Sequence, residues 1–208
     1  MQRWVRQWIA VALLGATTVA TRAASSSDYL VSRELSAASF TVYKWTVLKE
    51  EGRFNDISGR VHYDPTRPQD STVDLTITAA SLDTNNSSRD DVLRSDDFFD
   101  VQRYPTLWFV STRVVERPDK RLAVSGELTI HGVTKAIEVN VTVNGINNVE
   151  HVGQVAGFET TFHIDRTAFG VNGTRWTGGK LLISNDVELH LSIAATEHAL
   201  YVHTGEQG

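Results

Sequence analysis

The sequence predicts an all-β fold, an antiparallel barrel or sandwich of about eight strands with one short helical insert. Apolar residues alternate with polar ones over short runs, as they do in half-buried strands. Gly, Pro, Asn and Asp separate these runs and favour turns between them. Helical periodicity is almost absent. A set of short strands of this kind forms either a closed barrel or a sandwich.

The first 23 residues predict a secretory signal peptide. Arg3 and Arg6 give a short positive region, and the apolar run at 9–20 is shorter than the roughly 20 residues that a membrane span needs. Small residues follow, so we expect cleavage between residues 20 and 24 and export to a bacterial periplasm. A membrane-anchoring helix is the alternative interpretation.

Two predicted strands before residue 80 each show one apolar face. These faces are Ile57, Gly59, Val61 and Tyr63 in the first strand, and Val73, Leu75 and Ile77 in the second. The connecting segment DPTRPQD contains two prolines. Proline cannot donate to a strand ladder, so this segment is predicted to be a turn.

The same alternation returns after the insert and continues to residue 196. The runs are 107–111, 122–130, 137–143, 155–164 and 187–193. The turns ERPDK and HGVTK join the first three runs as hairpins. The barrel is therefore predicted to occupy residues 28–196, followed by a polar tail at 197–208.

One segment interrupts the strands. The stretch from Ser88 to Phe99, SRDDVLRSDDFF, has Ser and Asp residues that can cap one or two short helical turns. Its four aspartates and the one that follows it form an acidic cluster (Asp90, Asp91, Asp96, Asp97 and Asp100) that lacks the glycine and terminal glutamate of an EF-hand loop. A solvated helix face is therefore favoured over a calcium site.

Composition excludes several functional classes. Residues 1–23 contain three arginines and no acid, so the mature chain keeps 25 acidic and 17 basic side chains. Nucleic-acid binding needs a basic surface, which this chain lacks. The absence of cysteine rules out thiol catalysis and thiolate metal sites. No hydrolase elbow, P-loop, dinucleotide motif or histidine pair at zinc-site spacing occurs, so neither a catalytic residue nor a metal site is predicted.

Five segments of the chain resemble a known family. They are SFTVYKWTVLKEEGRFNDISGRVHYDP, SLDTNNSSRDDVLRSDDFFDVQRYPTLWFVST, LAVSGELTIHGVTK, GFETTFHIDRTAFGV and VELHLSIAA. Their order and spacing are similar to those of the YceI family. That resemblance implies an extended, lipocalin-like barrel that encloses a polyisoprenoid or quinone-like chain in the periplasm, without catalysis and without a cofactor. One position departs from the family, which often has His where this chain has Lys44.

The resemblance implies two sets of site residues. The apolar interior is expected to bind the lipid through Phe54, Leu82, Phe99, Phe109, Leu128, Phe158, Phe162 and Phe169. A barrel mouth is expected at Asp83, Thr84, Asn85, Arg89 and Asp90, where hydrogen bonds and a salt bridge would tie the helical insert to the barrel. The inward faces are expected to carry almost no charge, and Gly126 is expected to leave room for ligand if its face points inward.

A second functional hypothesis stays open at this stage. The barrel could be filled by its own side chains and dock a protein partner, or act as an enzyme-like variant on a bound lipid. Exposed aromatic residues such as Trp45, Trp108 and Trp176 would then matter more than the interior. Under the lipid-binding hypothesis, transient contact with a membrane or lipid donor and a homodimer are further expectations.

Overall fold

The computed structural model describes residues 27–173 and 183–198. Within them, eleven strands form one antiparallel sheet. The strands are β1 (Ser27–Val31), β2 (Ala37–Lys44), β3 (Leu48–Phe54), β4 (Ile57–Tyr63), β5 (Thr72–Thr78), β6 (Leu82–Asp83), β7 (Thr106–Glu116), β8 (Leu122–Ile130), β9 (Val133–Val149), β10 (Gly153–Asp165) and β11 (Asp186–Thr196). The predicted signal peptide and residues 199–208 of the predicted tail lie outside the described residues.

The sheet closes on itself as a barrel of eight strand positions. Pairing runs through β1, β4, β5, β7, β8, β9, β10 and β11, and β11 pairs back to β1 at Thr196–Leu30 and Ala195–Val31. Closure pairs the edges that an open sheet would leave free. The predicted fold class is thereby confirmed, and the barrel is favoured over the sandwich.

Three of the eight positions are each shared by two consecutive strands. β1 and β2 share one position, because β2 also pairs with β11, at Phe40–Leu189. β3 and β4 share the next position, because β3 pairs with β2 and β4 pairs with β1. β6 extends β5 and pairs with β3 through Leu82–Phe54. The β3–β4 break falls at Asn55 and Asp56, whose amides donate to the backbone oxygen and Oγ of Ser81, each at 3.1 Å.

Side chains alternate between the interior and the solvent, as the period-two pattern predicts. In β8, Leu122, Val124 and Leu128 are buried, whereas Glu127 between them is exposed. This alternation gives the barrel an apolar interior of aliphatic and aromatic residues. No helix in the described residues is long and apolar enough to cross a membrane.

The helical insert is shorter than predicted and begins at a different cap. Helix α1 spans Ser87–Arg94, and the Oδ1 of Asn86 accepts the amide of Arg89 at 3.0 Å. The expectation that Ser and Asp residues cap the helix is therefore wrong, because Asn86 precedes them in the capping position. After Arg94 the chain continues in turns that bury Phe98, which is 2% exposed.

Candidate functional site

The barrel interior contains two adjacent chambers. The first lies between β4, β5 and β7–β11, and its empty space, counting the part open to solvent, is about 1190 Å³. The second lies beside α1 and measures about 1100 Å³ in the same way. Four side chains border both chambers and define a waist between them: Phe54, Leu107, Ile130 and Leu189.

The first chamber is apolar. Phe109, Leu128, Phe158 and Phe162 line it, and the described lining atoms that face the space are all apolar. Phe158 makes an edge contact with Tyr63 at 5.5 Å between ring centroids. A chamber of this kind excludes water and can recognise hydrocarbon by shape and burial.

Aromatic rings connect the waist to the second chamber. The ring of Phe54 lies 5.6 Å from that of Phe40 and 5.9 Å from that of Phe99, the latter edge to face. Phe169, in the one-turn 3₁₀ helix Arg166–Phe169, also lines this chamber. The aromatic surface therefore continues from the waist along the second chamber.

The second chamber has several charged side chains in its wall. Lys44, Glu50 and Arg89 all line it. Glu50 and Arg89 form a half-buried ion pair at 2.6 Å. The Nζ of Lys44 lies 4.5 Å from the centroid of the Trp45 ring, a cation–π contact. The expectation of an interior almost without charge is therefore wrong for this chamber.

The predicted mouth residues tie the insert to the barrel. The Nε of Arg89 donates to Thr84 Oγ1 at 2.8 Å, and that hydroxyl donates to the buried Asp90 at 2.6 Å. Asp83 accepts from Arg53 at 2.8 Å and from the amide of Asn85 at 2.8 Å, and these two hydrogen bonds lower the pKa of the Asp83 carboxyl. The ion pair of Arg89 with Glu50 connects the helix to β3 as well.

A buried arginine, Arg166, lines the second chamber and binds backbone oxygens beside it. Arg166 is 6% exposed and donates to the backbone oxygens of Val171 (2.6 Å), Asn172 (2.8 Å) and Ser184 (2.9 Å). Burial lowers the pKa of its guanidinium, although Asp165 opposes that shift. The side chain thus links the residues just after the 3₁₀ helix to Ser184, ahead of β11, through their carbonyl oxygens.

The structure places seven of the eight expected lipid-binding residues on a chamber wall. Phe109, Leu128, Phe158 and Phe162 line the first chamber, Phe99 and Phe169 the second, and Phe54 the waist. Leu82 is fully buried in the core and is not among the residues that line either chamber.

Gly126 does not leave the room that was expected. Its face points inward, but a Cβ there would lie 2.4 Å from the Phe109 ring and 2.4 Å from the Val110 backbone oxygen. The ring of Phe109 fills the space beside the glycine, so that expectation is wrong.

The remaining polar and aromatic candidates lie outside the chambers or at their edges. Within 27–173 and 183–198, no three His, Asp or Glu side chains come together in a way that could hold a metal ion. His190 faces outward, as its alternation with leucines indicates, and contacts Thr161 Oγ1 at 2.9 Å. Trp45 and Trp108 are 56% and 37% exposed, whereas Trp176 lies outside the described residues.

Similar proteins come from several bacteria. The UPF0312 protein of Shewanella baltica is 36% identical over 166 residues, which cover 77% of this chain and 85% of that protein. A UPF0312 protein of Vibrio cholerae is 36% identical over 171 residues, 81% of this chain and 88% of that one.

Solved structures share the fold. BcnA of Burkholderia cenocepacia matches with a TM-score of 0.72 and 27% identity over 80% of this chain and 99% of that one. A polyisoprenoid-binding domain from Saccharophagus degradans has a TM-score of 0.62 over 82% of this chain and 98% of that one, and its 17% identity shows the fold alone. The family model of the YceI-like domain matches residues 29–195, nearly the whole barrel. The chain therefore belongs to the YceI family.

Proposed function

We propose that this protein binds an apolar, isoprenoid-type lipid inside its barrel and carries or stores it in the periplasm. The observation that carries the proposal is the pair of chambers that share the Phe54 waist. Two adjacent spaces of this kind suit a long, thin ligand better than a compact one. A polyprenyl chain or the tail of a quinone has that shape.

The energetics favour such a ligand. Burial of one methylene group contributes about 0.8 kcal/mol, so a tail of some tens of carbons gains roughly tens of kcal/mol before the costs of ordering it. The apolar wall of the first chamber supplies this term without polar contacts. The polar end of the ligand then belongs in the second chamber, where Lys44 and Arg89 lie in the wall.

The family and its relatives support a binding role. The Saccharophagus degradans protein of the same fold is described as a polyisoprenoid-binding domain. In this chain Glu50 pairs with Arg89, and Arg166 donates to backbone oxygens, in the wall of the second chamber. Such an arrangement orients and holds a ligand, and we propose no catalytic step for it.

Export to the periplasm follows from the first 23 residues, whose charge and apolar length are typical of a signal peptide. A lipid carrier is needed in such a compartment, because an isoprenoid tail does not dissolve in the water between two membranes. The absence of cysteine leaves the fold independent of the redox state there.

The proposal is tested by organic extraction of protein purified from its own periplasm, followed by mass spectrometry. We expect one prenyl lipid for each chain. Phe109→Glu places a charge in the first chamber and should abolish binding, whereas Val115→Glu, on the exposed face of the same strand, should leave it intact. Circular dichroism checks that both variants fold. Repeated lipid-free extracts from folded wild-type protein would overturn the proposal.

A further inference from the structure

The hairpin between β2 and β3 exposes a cluster of apolar side chains. We name residues 43–49, YKWTVLK, the hairpin tip. Tyr43, Trp45, Val47 and Leu48 are 45%, 56%, 73% and 48% exposed. Trp45 and Thr46 turn the chain with positive φ values of 50° and 64°, which non-glycine residues rarely adopt. The backbone therefore holds these side chains outward at a cost in conformational energy.

The opposite end of the barrel is built differently. Its β7–β8 turn is charged, with Arg121 paired to Asp119 at 2.6 Å and Lys120 to Glu116 at 3.2 Å. The β9–β10 turn presents Glu150 beside His151. Single exposed apolar residues such as Leu35 and Val149 occur elsewhere, but the cluster of four at the hairpin tip needs its own explanation.

The charge of the hairpin tip differs from that of the protein. The whole chain has a formal charge of −5, but the tip has two lysines and no acid. Lys49 pairs with Glu51 at 2.5 Å, while within the described residues no carboxylate forms an ion pair with Lys44. Tryptophan, tyrosine and lysine together are typical of the membrane–water interface, where the rings lie at headgroup level and the cations meet lipid phosphates.

The hairpin tip adjoins the second chamber. Lys44 ends β2 at the tip and also lines that chamber, as does Glu50 just after the tip. We infer that the hairpin tip docks on the surface of a phospholipid bilayer, with the second chamber next to the membrane. This inference rests on the proposed function, because a bilayer is the source and destination of an isoprenoid lipid.

A bilayer fits this surface better than a protein partner does. A stable protein interface needs about 800 Å² from each partner. Seven residues at the end of a hairpin offer much less. Shallow insertion into headgroups needs only a few apolar and aromatic side chains with cations around them.

Vesicle flotation tests the inference. The mature wild-type protein is mixed with vesicles of phosphatidylethanolamine and phosphatidylglycerol, and the fraction that floats with them is measured. Combined replacement of Trp45, Val47 and Leu48 by serine should reduce binding by about tenfold or more, because three apolar side chains no longer insert. The matched control, Val115→Ser with Val149→Ser at the opposite end, should bind as wild type does.

Two further measurements separate the possible failures. Val47→Glu, a single charge at the most exposed residue of the tip, should also lose flotation while keeping its bound lipid and its melting temperature. Wild-type protein that yields extracted lipid but does not float overturns the docking inference and leaves the proposed function standing. Flotation of a lipid-free protein supports docking and counts against the proposed function. Equal flotation of the tip variants and the control overturns the inference.

Discussion

The two chambers share a waist but differ in the rest of their walls. The first is enclosed by regular strands whose inward residues, such as Leu128 and Phe158, are apolar. The second lies where the strand positions are split and where α1 and the Arg166–Phe169 turn cover the barrel. Most of the charged wall residues lie there: Lys44 and Glu50 come from the adjoining ends of β2 and β3, Arg89 pairs with Glu50, and Arg166 donates to backbone oxygens.

This difference assigns each chamber a part of the proposed ligand. Binding in an apolar chamber becomes more favourable with every methylene group that the chamber buries, whatever the order of the atoms along the tail. Charged groups such as Lys44 and Arg89 instead interact with polar atoms at defined positions. The first chamber should therefore set the preferred tail length, and the second should set which headgroup is accepted.

The largest expected effect is on the second chamber. Arg166→Met removes the donor for three backbone oxygens and should lower the free energy of unfolding by about 3–5 kcal/mol, because buried acceptors lose their partner. Urea denaturation measures it. The control Arg53→Met removes an exposed ion pair with Asp83 and should cost less than about 1 kcal/mol. Equal losses of unfolding free energy in the two variants would contradict the structural role given to Arg166.

A second test compares packed core with chamber wall. Leu82 is fully buried away from both chambers, so Leu82→Ala should lower the free energy of unfolding by about 3 kcal/mol. Leu128 borders empty space and has fewer contacts to lose, so Leu128→Ala should cost about 1 kcal/mol in lipid-free protein. Chemical denaturation of both variants after lipid removal measures the difference. If Leu128→Ala lowers the free energy of unfolding as much as Leu82→Ala does, side chains fill the first chamber in solution.

A third test concerns tail length. Val124→Phe should fill part of the first chamber and lower the preference for long over short prenyl chains by about tenfold, since several methylene groups lose their contacts. Competition between chains of different length measures the ratio. Val115→Phe, on the exposed face, is the control and should keep the wild-type preference. An unchanged ratio in Val124→Phe would place the tail elsewhere.

The smallest expected effect is a pH dependence in the segment between β4 and β5. Asp64 accepts hydrogen bonds from the hydroxyl and amide of Thr66 and the amide of Arg67, and these lower its pKa to about 2. The stability it contributes is present above its unfolded pKa of about 3.9 and is lost as pH falls toward 2. Asp64→Asn should therefore flatten the melting temperature over that window. A wild-type slope in the variant would show that other carboxyl groups produce it.

Much of the first chamber could be predicted from the sequence. Alternation in runs such as 122–130 predicted which residues share a face, and barrel closure turned those faces inward. The filling of the space beside Gly126 could not be predicted, because it depends on Phe109 in the neighbouring strand. The division of one strand position into β1 and β2 also depends on distant pairing with β11, which local patterns do not contain.

The charged wall of the second chamber had a signal in the sequence. Lys44 keeps the alternation of Phe40 and Val42, and Glu50 keeps that of Phe54. Counting along each strand would have placed both side chains inside. The amino-acid composition alone did not reveal these inward-facing charges, because charged residues near a turn usually face the solvent.

The most direct test of the two-chamber account is a crystal structure of the protein loaded with its own extracted lipid. We expect one continuous chain of density, with its polar end beside Lys44 and Arg89, its middle at the Phe54 waist and its tail against Leu128. Density confined to the outer surface, with both chambers empty or filled by side chains, would contradict the account.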